Sequence, residues 1–113
     1  MMINDVIIGK GKLAGKGVYA NRDFKKGEVV IRYHLSSLTT DEFDRLPKSE
    51  RMFTHVHRGI TYLYSEPERY VNHADTPNTF FNGETNTDVA IRDIKMGEMI
   101  TTDSTKDDIW RMI

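Results

Sequence analysis

A chain of 113 residues is long enough for one domain with one hydrophobic core, which we assign to residues 1–113. The composition, 38% apolar and 29% charged, includes no apolar run that could cross a membrane, and the absence of cysteine excludes disulfides and thiolate chemistry. A formal charge of −1 argues against direct nucleic-acid binding, and the N-terminus lacks a secretion-signal pattern, so we expect a cytoplasmic protein.

Glycine and lysine dominate the first segment, Gly9–Gly17. It does not match a phosphate-binding P-loop, because Lys10 stands where that motif needs its first glycine and Gly17 where it needs Ser or Thr. It is also a poor dinucleotide motif, since no long helix is predicted after it. The segment is predicted to be a turn, either simply flexible or open enough for a ligand to approach its backbone.

An internal echo follows, in which Ala20–Val30 resembles Ala90–Ile100. The two copies share Ala, Arg, Asp, Lys, Gly and Glu at equivalent positions. Each copy predicts strand, turn and strand, and two similar hairpins could recur by convergence. Gly27 and Gly97 lie where such a turn needs a positive φ.

The middle of the chain predicts short strands and one short helix. Val29–Leu35 is β-branched and aromatic, which predicts a buried strand, and 39–46 begins with a capping threonine before Pro47 ends the helix. His55–Tyr64 predicts two strands around Arg58-Gly59, and 82–87 is a polar turn. The pattern is mainly β, with no βαβ alternation.

Two histidines raise the question of a metal. His55 and His57 are two residues apart, so on a strand their rings share a face and could bind one ion. No third ligand is near in sequence, and we assign no metal. Ser104 lacks the glycine-flanked turn of a hydrolase nucleophile, so nothing supports a catalytic triad.

Three segments, taken in order, resemble the SET-domain protein-lysine methyltransferases. Gly15–Ala20 followed by Phe24–Glu28 is similar to the family's N-terminal glycine motif and its Lys-Gly-Glu turn. Arg69–Ala74 with Pro77-Asn78 is similar to its Arg-Phe-Ile-Asn-His-Ser pattern and the Pro-Asn that comes after. Ala90–Thr101 is similar to the family's last motif. The joint order and spacing are specific to that family.

This resemblance implies a β-clip fold of small curved sheets, with a threaded C-terminal segment that brings the second and third motifs together. It also implies S-adenosylmethionine as cofactor and a lysine-containing protein as substrate. The cofactor's amino-acid end would lie against the backbone of Lys16 and Gly17 and the side chain of Asn72. His73 would contact the adenine through its backbone, and Arg69 would help to frame the cleft.

The catalytic end departs from the family. Where these enzymes have a tyrosine that orients the lysine amine, this chain has Ser104. Aromatic walls suit a lysine channel, so Tyr33 and Tyr70, with Tyr62 and Tyr64, are candidates for it, although each could equally be an ordinary half-buried aromatic residue of a strand. The alternative function is an inactive SET-like module that binds a protein. A carbohydrate-binding module ranks last, because no exposed aromatic platform is evident.

Trp110 could cover the substrate channel or anchor the C-terminus in the core. The zinc-binding cysteines that often flank these domains are absent, so the channel must be completed by C-terminal residues, by a second subunit or by the substrate. A homodimer is therefore a possible state of the protein.

Overall fold

Small sheets carry most of residues 5–103, the part of the chain that the computed structural model describes. The first sheet has four strands in the order β1-β2-β10-β7. Strands β1 (Val6–Leu13) and β2 (Lys16–Ala20) form a hairpin, and β10 (Met99–Thr102) pairs antiparallel with β2. The short strand β7 (Asn72–His73) pairs parallel with β10. The prediction of a turn over Gly9–Gly17 was wrong for most of that segment. Only Ala14 and Gly15 form the turn, and Gly9 pairs with Gly17 across the hairpin.

The second sheet has the order β3-β9-β8. Strand β3 (Val29–Arg32) lies beside β9 (Thr87–Ala90), and β9 pairs with β8 (Thr79–Asn82) in a hairpin. Asn86 adopts a φ of 54° in the turn of that hairpin, a left-handed conformation that asparagine tolerates better than most residues. The predicted polar turn is confirmed.

The third sheet has the order β4-β6-β5. It contains β4 (Leu35–Leu38), β5 (Thr54–His57) and β6 (Ile60–Tyr64). The hairpin β5–β6 turns at Arg58 and Gly59, whose φ values of 53° and 79° fit a two-residue hairpin turn. The sequence prediction of two strands around this pair is confirmed.

The prediction of a single strand over Val29–Leu35 was wrong. Strand β3 ends at Arg32, and Leu35 begins β4 in a different sheet. Between them, the Tyr33 N–H donates to the Asn86 carbonyl at 2.8 Å, and the His34 N–H donates to the buried Glu68 carboxylate at 2.6 Å. The chain passes from one sheet to another at this point because of hydrogen bonds to residues far along the sequence. A uniformly β-prone run of residues gives no sign of that change.

Two short helices, rather than the predicted one, follow β4. Helix α1 (Thr40–Arg45) has the predicted cap, since Thr39 Oγ1 accepts the Glu42 N–H at 3.1 Å and the Glu42 carboxylate accepts the Thr39 N–H at 3.0 Å. Helix α2 (Lys48–Arg51) begins after Pro47. Proline ends one helix and starts the next, a reading that the sequence prediction missed.

The two echoed segments pair with each other, and we call this contact the crossing (residues 20–30 and 90–100). Phe24 and Ile94 exchange both backbone hydrogen bonds at 2.8 Å, and they are 1% and 0% exposed. The prediction of strand, turn and strand is confirmed, but the copies are not hairpins. Each copy instead joins two sheets, because β2 pairs with β10 and β3 pairs with β9.

The two turns of the crossing also cap each other. Asp23 Oδ1 accepts the Met96 N–H at 2.8 Å, and Asp93 Oδ1 accepts the Lys26 N–H at 2.9 Å. Gly27 and Gly97 have φ values of 92° and 93°, so both predicted glycine turns are confirmed. The identical aspartates of the echo therefore bond across to the other copy, whereas the identical arginine and glutamate pair within each copy.

The core lies around the crossing and includes residues of the first and second sheets, with Leu63 of the third sheet packed against it. Its fully buried side chains pack at the centre, and aromatic residues close it toward helix α2. The buried apolar residues are Val18, Ala20, Phe24, Val30, Ile31, Phe53, Tyr70, Val71, Ala90, Ile94 and Ile100.

Candidate functional site

The buried side chain of Asn72, 3% exposed, joins three backbone segments. Its Oδ1 accepts the Lys12 N–H at 2.8 Å, and its Nδ2 donates to the Lys16 carbonyl at 2.9 Å and to the Tyr70 carbonyl at 2.8 Å. Both Nδ2 hydrogens are therefore used within the chain, whereas Oδ1 still has a second lone pair. Asn72 fixes the β1–β2 hairpin against the segment that precedes β7.

A second buried asparagine holds strand β10 in place. Asn78, 2% exposed, donates from Nδ2 to the Met99 carbonyl at 2.8 Å and accepts the Thr101 N–H at 2.9 Å. The Thr79 hydroxyl donates to the Thr101 carbonyl at 2.7 Å. We call Asn72 and Asn78, with these backbone partners, the asparagine junction.

The second and third sequence motifs meet at this junction, as the resemblance implied. In the parallel pairing of β10 with β7, Thr101 lies opposite Asn72 and Thr102 lies opposite His73. The Ala74 N–H extends the ladder by donating to the Thr102 carbonyl at 3.0 Å. Residues 69–78 and 97–103 therefore share one place in the fold, although residues 79–96 lie between them in sequence.

The first motif reaches the same place through the β1–β2 hairpin. The Lys16 Nζ lies 4.9 Å from the centre of the Tyr70 ring, a cation–π contact beside the Asn72 amide. Gly17 is packed closely, since a Cβ there would lie 3.2 Å from the Lys10 carbonyl oxygen and 3.4 Å from Asn72 Nδ2. A side chain at this glycine would therefore crowd the contact between the hairpin and Asn72.

His73, 40% exposed at its side chain, lies between two carboxylates. Its Nε2 is 3.1 Å from Asp75 Oδ1 and its Nδ1 is 3.7 Å from Asp103 Oδ1. The imidazole therefore faces acidic groups at the rim of the junction, and the His73 backbone lies in the ladder with β10.

Arg69 lies apart from the Asn72 amide. Its Nε donates to the Tyr64 carbonyl at 2.9 Å, its guanidinium pairs with Glu50 at 2.8 Å, and the same group stacks 4.7 Å from the Phe53 ring. The side chain is only 8% exposed. These contacts fasten α2 and the third sheet to the segment that carries Asn72.

The two candidate tyrosines belong to separate clusters. Tyr70 is 5% exposed, donates its hydroxyl to Glu66 Oε1 at 2.9 Å and packs edge-to-face with Phe53. Tyr33 is half-buried and packs edge-to-face with Tyr64, at 5.5 Å between ring centres. The chain therefore has one tyrosine beside the asparagine junction and another at the meeting of the second and third sheets.

Sequence reasoning missed Asp88, a fully buried carboxylate on β9. The Tyr33 hydroxyl donates to its Oδ2 at 2.8 Å, and Phe81 packs edge-to-face on the Tyr33 ring at 5.1 Å between centres. The available signal was a single acidic residue in the β-prone run 87–91, where an apolar side chain is expected.

Two further candidates, Ser104 and Trp110, lie outside the described residues. Within residues 5–103 no group of three or more His, Asp or Glu side chains is arranged to hold a metal ion. His55 and His57 do share a face, with nearly parallel rings 6.2 Å apart. Over the same range, no helix is long and apolar enough to cross a membrane.

Small sheets joined by a crossing and by two buried asparagines are the β-clip architecture that the sequence motifs predicted. The SET-domain family model matches residues 15–103, and the chain therefore belongs to the SET-domain family. A solved structure of a Plasmodium falciparum protein assigned as a histone methyltransferase covers 90% of this chain and 94% of its own, with a TM-score of 0.67. At 22% identity that likeness shows the fold alone.

The curated relatives are much longer proteins. The histone-lysine N-methyltransferase ASHH3 of Arabidopsis thaliana is 30% identical over 79% of this chain, which spans 29% of the relative. The histone-lysine N-methyltransferase EZH2 of Chaetomium thermophilum is 33% identical over 82% of this chain and 8% of its own length. Human histone-lysine N-methyltransferase 2D is 27% identical over 88% of this chain and 2% of its own.

Proposed function

We propose that this SET domain transfers a methyl group from S-adenosylmethionine to a lysine side chain of a protein. The observation that carries the proposal is the convergence of all three family motifs on the asparagine junction, where Asn72 bonds to the hairpin of the first motif and lies opposite Thr101 of the third. Names of relatives that include histone-lysine methyltransferase activity support the same reaction class.

The residues at the junction fit the amino-acid end of this cofactor. Asn72 Oδ1 has an acceptor position left for an ammonium group, and the Lys16 Nζ beside it supplies a cation for a carboxylate. The Nδ2 of Asn72 is not part of this proposed contact, since its hydrogens already bond to Lys16 and Tyr70. The backbone of His73 is the proposed contact for the adenine.

When bound, the cofactor supplies a methyl group on a positively charged sulfur, and the chain must present a lysine amine in line with it. That amine reacts only when neutral. Lowering its pKa from the reference value of about 10.4 to about 8 requires roughly 3 kcal/mol, from desolvation and from the nearby positive charge. Aromatic residues around Tyr33 and Tyr64 are the proposed lysine channel, because such walls exclude water.

Histones are the proposed substrate class, by analogy with the names of the relatives. A basic protein tail would meet acidic side chains near the junction, namely Asp75 and Asp103 on either side of His73. Complementary charge of this kind favours encounter and register more than final affinity.

A second function is favoured by one residue. Ser104 stands where the family has its orienting tyrosine, and a serine hydroxyl cannot reach as far. Loss of that positioning could cost on the order of 10²-fold in rate. The alternative is therefore a SET-like module that binds a protein without methylating it, and a Ser104→Tyr variant that gains activity from none would favour it.

Calorimetric titration with S-adenosylmethionine tests the proposed cofactor site. Lys16→Met should weaken binding about tenfold, since it keeps an apolar stem over Tyr70 but removes the cation. Lys10→Met is the matched control, because Lys10 lies directly opposite Lys16 in the hairpin and has no assigned role. Equal binding by both variants would contradict the proposed site.

Methyl transfer itself is tested by incubating the protein with methyl-labelled S-adenosylmethionine and purified core histones. Label on histone lysine establishes the reaction class. Saturable cofactor binding without transfer to histones or to a total protein extract would instead support the protein-binding alternative.

A further inference from the structure

Asp88 is a carboxylate in a place where strands carry apolar side chains. It lies on β9, the central strand of the second sheet, opposite Ile31 on one neighbour and Phe81 on the other, and it is 0% exposed. A buried carboxylate destabilises a fold unless its hydrogen bonds are satisfied. Its presence on a central strand therefore calls for a reason beyond folding.

The bond from Tyr33 fixes how that tyrosine can meet another molecule. The Tyr33 hydroxyl donates to Asp88 Oδ2 at 2.8 Å. A phenol has one hydrogen to donate, so any further group at this oxygen must itself be a donor. Asp88 thus gives the hydroxyl of a half-buried tyrosine the character of a hydrogen-bond acceptor.

The rings around Tyr33 favour a cation at the same place. Tyr64 and Phe81 both pack edge-to-face on the Tyr33 ring, at 5.5 Å and 5.1 Å between centres, with planes at 83° and 77°. Aromatic faces attract cations, and a carboxylate removed from water acts on a nearby charge more strongly than an exposed one. An alkylammonium group combines the required donors, charge and apolar stem.

We propose that Asp88, acting through the Tyr33 hydroxyl, forms a recognition element for a primary alkyl amine, namely the lysine side chain of the substrate. The proposal rests on the proposed function and assigns a positioning role to Asp88. Its charge favours the protonated amine, so Asp88 contributes to substrate binding and opposes the later loss of the amine's proton. Loss of this charge should therefore raise KM, and any change in kcat should be an increase, because the amine then loses its proton more easily.

The first test uses no cofactor and no protein substrate. Tyrosine labelled with 13C at Cζ gives one resonance per tyrosine, and the Tyr33 resonance is identified by its loss in Tyr33→Phe. Addition of n-butylammonium chloride should shift this resonance saturably in the parent protein. In Asp88→Asn, which keeps the size and an acceptor oxygen but removes the charge, binding should be about tenfold weaker or undetectable.

Two controls separate recognition of the amine from general effects. Neutral 1-butanol, which has the same alkyl chain, should not reproduce the shift, and sodium chloride at equal ionic strength should leave the resonance unchanged. The proposal would be overturned if butylammonium did not shift the Tyr33 resonance of the parent protein, or if it shifted that resonance equally in Asp88→Asn.

The second test is methyl transfer to core histones. Asp88→Asn should raise the KM for histone about tenfold, with a kcat equal to or above that of the parent, and it should add nothing in a Tyr33→Phe background. An active parent whose KM is unaffected by Asp88→Asn would overturn this inference and leave the proposed function standing. An inactive parent that still responds to butylammonium would overturn the proposed function and retain the amine site.

Discussion

The crossing and the asparagine junction hold the same sheets together by opposite means. In the crossing the capping contacts occur twice, since Asp23 caps the turn at Met96 and Asp93 caps the turn at Lys26. In the junction each contact occurs once, and Asn72 alone bonds to Lys12. When a contact is duplicated, the fold keeps one copy if the other is lost. When a contact occurs once, its loss reduces the stability of the protein and also disturbs the site that the contact forms.

The comparison also separates architecture from function. Both copies of the echo have the same turn, with Gly27 and Gly97 at nearly identical φ values. Only the second copy continues into β10, which lies beside Asn72 and His73. The two turns therefore differ not in their own conformation but in the strand that follows each of them, and only the second turn leads to the asparagine junction.

Removal of a junction asparagine should have the largest effect. Asn72→Ala and Asn78→Ala each leave several buried backbone groups without their partner, and each should reduce the free energy of unfolding by about 3 kcal/mol. Chemical denaturation measures the loss. Asn82→Ala, at the half-buried end of β8, loses one bond from the Glu84 N–H, so it is the control and should cost less than about 1 kcal/mol. Junction variants as stable as the control would contradict the distinction between unique and redundant contacts.

Removal of one capping aspartate from the crossing should have a smaller effect. Asp23→Ala and Asp93→Ala each lose one charge-assisted bond to an exposed turn, so each should cost about 1.5 kcal/mol. The two values should agree within about 0.5 kcal/mol, because the geometry is repeated, and the double variant should cost more than their sum, because neither cap then remains. Unequal losses in the free energy of unfolding would show that the two caps contribute differently to stability although their geometry is the same.

Glycine-to-alanine changes in the two turns should cost slightly less. Gly27→Ala and Gly97→Ala have open space for a Cβ, so the penalty is the backbone strain of a positive φ, about 1 kcal/mol each. Equal thermal midpoints for the two variants, both below that of the parent, would support this account. No destabilisation in either variant would indicate that the turns adopt another conformation in solution.

The sequence predicted those features of the fold that depend on local patterns. The cap at Thr39, the turn at Arg58-Gly59 and the glycines of the echo follow from local rules, and all three are present. The division of Val29–Leu35 between two sheets was missed, because it depends on hydrogen bonds to Asn86 and Glu68, far along the chain.

The candidate site shows the same limit. The motifs placed Asn72, Lys16 and Gly17 together, and the structure brings them into contact. Asp88 belongs to no motif, and its bond to Tyr33 joins residues more than fifty positions apart. Its role could be found only once the strand pairing was known.

The smallest predicted difference lies between the two glutamates of the crossing. Glu28 accepts the Lys25 N–H at 2.6 Å and pairs with Arg22, and these contacts, with the backbone bond as the larger cause, hold the pKa of Glu28 below its ordinary value of 4.5. Among the described residues, Glu98 pairs with Arg92 at 3.1 Å without an equivalent backbone bond. Glu28→Gln should therefore lower the thermal midpoint more than Glu98→Gln does, though by only about 2 °C, because both carboxylates remain partly accessible to water.

The pH dependence distinguishes this account from a simple packing effect. A carboxyl whose pKa is lowered by folding contributes stability above its unfolded pKa and loses that contribution as pH falls through the folded pKa. The difference between the parent and Glu28→Gln should thus be complete at pH 7 and disappear as the pH falls below about 4.5. Thermal unfolding measured at both ends of that range tests it, and a difference that persists in acid would place the cause in the shape of the side chain and not in its charge.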